Sequence, residues 1–135
     1  MTNQYIDSFL HNLKIIIKET STLLPNDPII YRTNKRLMLA IQYDPLYVFN
    51  TVGEYLYSYK DFVYDASTED LLMEWDFQKE VKEVGDPEVE EVAVLLIGQI
   101  KKCLRAMKED EKKIFRKLTS ELLDDYIEYT VHSNS

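Results

Sequence analysis

Apolar residues recur along most of this chain three and four positions apart, the spacing that gathers side chains on one face of an α-helix. In the first segment Ile6, Phe9, Leu10, Leu13, Ile16 and Ile17 form such a stripe, and a second one starts at Pro28 with Ile30, Leu37, Ala40 and Ile41. The third is the longest, with Val48, Phe49, Val52, Tyr55, Leu56, Tyr59, Phe62 and Val63. A shorter fourth carries Leu71, Leu72, Trp75 and Val81. After a polar break at residues 108–110, a last stripe carries Ile114, Phe115, Leu118, Leu122, Tyr126 and Tyr129. The strict alternation of a half-buried strand does not imitate this period over such lengths.

The fifth segment differs. Residues 92–97 are apolar without interruption, and Gly98 follows where a neighbouring backbone can come close. A helix that is apolar all round is a buried one, so residues 87–100 are expected at the centre with amphipathic helices around them. The later part, with Lys101, Lys102 and Arg105, is expected to emerge toward solvent.

Three of the four prolines follow an aspartate: Asp27-Pro28, Asp44-Pro45 and Asp86-Pro87. Aspartate accepts from the orphan N–H groups of a helix start, and proline in the first turn gives up an N–H that has no partner there. Each pair therefore predicts a helix beginning. Ser67-Thr68-Glu69-Asp70 predicts another, and Gly85 a helix end. The expected fold is all-α: a compact bundle of about six helices around a buried central helix. Residues 1–131 form the expected single domain and residues 132–135 a frayed tail. The closely spaced Asp-Pro starts argue against one long coiled coil.

Composition agrees with a self-sufficient core: 45% hydrophobic and 30% charged residues, with only 3 Gly and 4 Pro. The single cysteine, Cys103, excludes an internal disulfide and fits a reducing, cytoplasmic setting. No basic-then-apolar leader pattern opens the chain, and no run approaches the ~18 apolar residues of a membrane span, so neither export by that route nor a span is expected.

Catalytic chemistry is hard to place. His11 and His132 stand at no metal-ligand spacing from each other or from Cys103. Cys103 continues the stripe of Val89, Val92, Leu96 and Ile100 and reads as a core residue, with no base nearby to activate it. There is no glycine-rich phosphate loop, nucleophile elbow or calcium loop. We therefore assign no catalytic residue, metal or cofactor and expect a non-enzyme. The 24 acids offer many pairs for a carboxylate-based enzyme, but acids on helices mostly solvate the outer face, so no particular pair is singled out.

The net charge is −8, and it is unevenly spread. Residues 65–91 hold eleven acids against two lysines. That stretch is either a solvated helix face or a surface that holds a basic partner or mimics nucleic acid. Residues 101–117 hold eight bases, enough for a small basic patch, yet the overall acidity argues against general nucleic-acid binding.

Aromatics cluster too, with eight of sixteen lying in residues 43–64. Turning the third helix by about 100° per residue puts Phe49, Tyr55, Tyr59 and Phe62 on the core side. Tyr57 and Tyr64 fall opposite, among Asn50, Glu54 and Asp61, with Tyr47 at the edge. Tyrosine on a polar face suits a protein interface, because it offers large contact area at low entropic cost. Tyr47, Tyr57 and Tyr64 are the candidate partner-binding residues, the other reading being that they are covered by another helix or simply exposed.

The run from Asp44-Pro45 through Asn50, Val52-Gly53, Tyr55-Leu56, Tyr59 and Asp61 carries a resemblance, together with the acidic stretch and an end rich in Leu, Asp and Tyr (Leu122, Leu123, Asp125, Tyr126, Tyr129). It resembles small helical proteins, themselves uncharacterised, encoded by large nucleocytoplasmic DNA viruses. The likeness covers roughly two thirds of the chain and rests on helix starts and apolar spacings. It implies an infected-cell cytoplasm or virion setting and transfers no catalytic residue. The expected function is non-enzymatic: a protein-interaction or structural protein, as a virion component or a modulator of a host factor. An enzyme with a carboxylate-based site and a nucleic-acid-associated protein are the alternatives.

Overall fold

The computed structural model describes residues 3–58, 60, 103 and 106–133. These are helical almost throughout, with no strand among the described residues. Four helices are defined: α1 (Gln4–Leu23), α2 (Pro28–Tyr43), α3 (Pro45–Ser58) and α4 (Glu109–Ser133). The expected central helix at 87–100, the Ser67 and Asp86-Pro87 starts and the acidic stretch at 65–91 lie outside the described residues.

Local chemistry sets the helix ends. The Asn3 side chain accepts from the N–H groups of Tyr5 (2.8 Å) and Ile6 (3.3 Å) and so starts α1. Asp27 does the same for Ile29 and Ile30, with Pro28 in the first turn of α2. Asp44 serves two helices at once. Its N–H donates to Ala40 O and closes α2, while its carboxylate accepts from Tyr47 N–H at 3.2 Å and opens α3. At the polar break, Lys108 N–H donates to Glu111 Oε1 (3.0 Å), the reach-back half of a capping box, and α4 follows.

The apolar stripes meet as expected on α1, where Phe9, Leu13, Ile16 and Ile17 are buried, and on α2, where Ile30, Leu37 and Ile41 are. On α4 the buried set is Phe115, Leu122 and Leu123. Ile114, expected in that stripe, is instead 57% exposed, because Phe115 takes the inward position beside it. Cys103 is fully buried against this core, its Sγ 3.9 Å from Thr20 O.

Both α1 and α3 pack against all three other helices, whereas α2 and α4 flank them without extensive contact between themselves. The packing of α1 on α4 is the most extensive. It carries α4 two residues past the expected end of the domain. His132, expected in a frayed tail, stacks parallel to Tyr5 (centroids 5.5 Å apart) and contacts Glu128 Oε2 at 3.2 Å.

Two details hold the helices in register. Asn34 replaces an apolar residue in the α2 stripe and is buried, the two N–H groups of its Nδ2 shared among Ile17 O (3.1 Å), Thr20 Oγ1 (2.9 Å) and Ser21 Oγ (2.6 Å) on α1. Gly53, buried on α3, lies directly beneath the Tyr126 ring of α4. A Cβ placed there would stand 2.6 Å from Tyr126 Cγ and 2.7 Å from Cε2. Alanine inside a helix normally gains about 1 kcal/mol over glycine, but overpacking costs roughly 1–3 kcal/mol and here involves the root of the ring rather than its free end. Gly53→Ala is therefore expected to lower the unfolding free energy by about 1 kcal/mol in urea melts. A gain in stability would show that α3 and α4 are not apposed at this point.

Asp125 sits in the contact between α1 and α4. Its Oδ2 is shut off from solvent and has no hydrogen-bond partner among the described residues. Burial raises its pKa above the ordinary 3.8, the hydrogen bond from Ser8 works against the rise, and Asp124 and Glu121 add to it. A carboxyl whose folded-state pKa is raised prefers to be protonated in the fold. The fold is thus relatively destabilised as pH climbs from the ordinary value through the raised one, and this cost persists at neutral pH. Asp125→Asn, which cannot ionise, should raise the thermal midpoint near neutral pH and give no gain once the medium is well below the ordinary carboxylate pKa. An equal gain at both pH values would assign the effect to packing rather than to charge.

Candidate interaction surface

The three tyrosines proposed from sequence occupy different settings. Tyr57 is 47% exposed on α3, with Lys60 Nζ 4.9 Å above its ring and the Tyr126 ring 6.5 Å away on α4. Burial pushes the Tyr126 phenol above its usual pKa, with Glu54 and Tyr57 adding to the shift. Tyr47 is half-buried and packs against the core. Ten residues of helix separate it from Tyr57, roughly 15 Å along the axis and roughly 80° around it, so the two do not share a compact patch. Tyr64 lies outside the described residues. The structure thus gives Tyr57 as an exposed aromatic and does not bring Tyr47 beside it.

A second surface escaped the periodicity argument. Next to its core stripe (Ile30, Asn34, Leu37, Ile41), α2 carries a parallel stripe: Tyr31, Lys35, Met38 and Gln42, spaced by four, three and four. All four are exposed. Facing them across a groove, α1 contributes Lys14, Ile17 and Lys18. This groove has a volume of about 560 Å³, and a neighbouring hollow of about 410 Å³ shares Lys14, Lys35 and Met38 and runs on to Leu39 and Gln42. The pair follows α2 from Tyr31 to Gln42, roughly 16 Å or three helical turns.

The surrounding surface is apolar as well. Ile29, Tyr31 (68% exposed), Leu39 and Tyr43 on α2, and Leu46 at the start of α3, all stand open. The charge is one-sided: α2 holds Arg32, Lys35 and Arg36 and no acid, in a chain of net charge −8. Lys14, Lys18 and Lys35 are exposed and form no ion pair with a described residue. The signal was present in the sequence as a helix without acids whose second stripe alternates Tyr31 and Met38 with Lys35 and Gln42.

The remaining candidates for chemistry are dispersed. His11 is exposed on α1, and no cluster of His, Cys, Asp and Glu among the described residues could hold a metal ion. Of the basic segment at 101–117, Lys101, Lys102 and Arg105 lie outside the described residues, and Lys112 pairs with Glu109 at 3.3 Å. No described helix is long and apolar enough to cross a membrane. Comparison with protein-family models, curated proteins and solved structures gives no match.

Proposed function

We propose that the chain is a non-enzymatic protein-interaction module. The observation that carries this reading is the number of exposed apolar and aromatic side chains on α2 and the start of α3: Ile29, Tyr31, Met38, Leu39, Tyr43 and Leu46. Single exposed apolar residues are ordinary, but six large ones between residues 29 and 46 are a concentration that supports contact with another macromolecule. Tyr57, on α3, is the second candidate anchor, with Tyr47 and Tyr64 as its proposed companions.

The carboxylate-enzyme reading has less support. Asp125, whose pKa is raised by burial, lies in the α1–α4 contact and lines neither groove, which suits helix packing better than catalysis. A nucleic-acid-associated role would draw on the bases of residues 101–117, of which Lys112 is already paired. A virion or host-cytoplasm setting is part of the proposal and rests on the viral resemblance. So is a bundle of about six helices centred on residues 87–100, which rests on the apolar run 92–97.

Affinity capture from the native cell or virion tests the proposal, comparing the natural chain with Tyr31→Ser/Leu39→Ser and with Tyr57→Ala. The double substitution should leave the helical circular dichroism and thermal midpoint close to those of the natural chain, since both side chains are exposed, while sharply reducing recovery of the partner. Tyr57→Ala should also fold, losing at most the ~1 kcal/mol of an exposed cation–π contact, and should reduce recovery if α3 contributes. Undiminished recovery with Tyr57→Ala removes the α3 tyrosines from the interface. Failure of the natural chain to retain any specific protein counts against the whole reading.

A further inference from the structure

We infer that the groove between α1 and α2 receives an amphipathic helix whose apolar stripe is flanked by Asp and Glu. The inference rests on the interaction reading above and specifies the partner's chemistry.

Three features of the groove converge on that occupant. Its length, roughly 16 Å, matches three turns of helix, and its walls are themselves helices, so a third helix can lie along them as in helix-in-groove recognition. Its floor and rim are apolar at Ile17, Tyr31, Met38 and Leu39, which gives anchor residues at helical spacing a place to bury. Met38 adds an adaptable side chain that can repack around different anchors. Cations then line both walls: Lys14 and Lys18 on α1, Lys35 on α2. An apolar stripe with carboxylates on either flank would meet all three at once, while a basic helix would be repelled.

The apolar floor also separates this occupant from a nucleic-acid strand. A phosphate backbone would satisfy the lysines but leave Met38 and Leu39 without an apolar partner. Electrostatic complementarity of this kind acts chiefly on the association rate and on the choice of partner, with burial of the anchors supplying affinity. The exposed lysines are screened by salt, so binding should weaken as ionic strength rises without vanishing.

The test uses the full chain and a fluorescein-labelled helical peptide of about 14 residues, with Leu at every third or fourth position and Glu on both flanks. Binding is followed by fluorescence anisotropy. Three controls accompany it: the same peptide with Lys for Glu, the same with Ser for Leu, and a single-stranded oligonucleotide of equal charge. The Glu-Leu peptide should bind best of the four. Lys14→Glu/Lys35→Glu should weaken it by about tenfold or more and Met38→Ser by a smaller factor, with circular dichroism unchanged in every variant. Equal binding of the Lys or the Ser version, stronger binding of the oligonucleotide, or indifference to the groove variants would overturn the inference. So would a dimer in sedimentation that Lys14→Glu/Lys35→Glu dissolves, because a second copy would then be the occupant.

The two proposals fail separately. If a cellular partner is captured equally well by Lys14→Glu/Lys35→Glu, the groove is not its docking site and the interaction reading stands. If the designed peptide binds as stated but no cellular partner is retained, the groove's chemistry stands and the proposed function falls.

Discussion

Phe49 is fully buried where three helices meet, with rings on both neighbours turned toward it: Phe9 of α1 at 4.8 Å, Tyr129 of α4 at 5.0 Å and Tyr126 of α4 at 5.5 Å. Two of these contacts are edge-to-face, at 78° and 83°, the arrangement that sets a positive ring edge on a negative ring face. Such pairs have a preferred angle as well as a distance, so the cluster fixes how α1, α3 and α4 are turned about their axes. Gly53 follows from the same constraint. One turn beyond Phe49 on α3, the space for a side chain is already taken by Tyr126, and only a residue without Cβ lets α4 stay close enough for its two tyrosines to reach Phe49.

With α1, α3 and α4 locked around that cluster, α2 is left as a flanking helix that rests on α1 and α3 along a single stripe. Its hold on α1 is partly polar. Asn34 spends its amide on Ile17 O and on the hydroxyls of Thr20 and Ser21, while the Thr20 hydroxyl donates in turn to Ile17 O at 2.7 Å. Hydrogen bonds of this kind add about 1 kcal/mol each at best, but moving α2 by one residue would leave a buried amide unmatched, which costs more than the bonds contribute. Asn34 thereby fixes the register of α2 on α1. The register in turn decides which α2 residues stand opposite Lys14 and Lys18, so the polar contact beneath the groove determines the pattern of charge above it.

Much of this was legible in the chain itself. Asp27-Pro28 and Asp44-Pro45 mark helix starts because the capping chemistry is local, set by residues two and three apart. The stripes of α1 and α2 carry over for the same reason, since a period of three and four needs no knowledge of the partner. What sequence could not supply were pairings across helices. The close approach at Gly53 is one such pairing, since only the position of Tyr126, 73 residues away (126 minus 53), makes it one, while the expected close approach at Gly98 lies outside the described residues. Asn34 was passed over as a polar residue although it stands four positions from Ile30, where the helical period calls for a core residue. Apolarity puts both Ile114 and Phe115 in the last stripe, and of the two only Phe115 is buried.

The α2 surface escapes the sequence for a related reason. Looking for tyrosine on a polar face selects isolated aromatics such as Tyr57, and it ignores a helix whose exposed side mixes Tyr31, Met38 and Leu39 with lysine and arginine. Burial separates the two cases. The stripe of Ile30, Leu37 and Ile41 is covered by α1 and α3, and that of Tyr31 and Met38 is not, although both obey the same period. A helix with two stripes and three cations but no acid has more binding chemistry than its own fold uses. In a chain that is otherwise acidic, that surplus sits on the one described helix whose charge is opposite to the whole. The apolar floor holds an occupant by burial, and the lysines on the two walls decide which occupants are admitted.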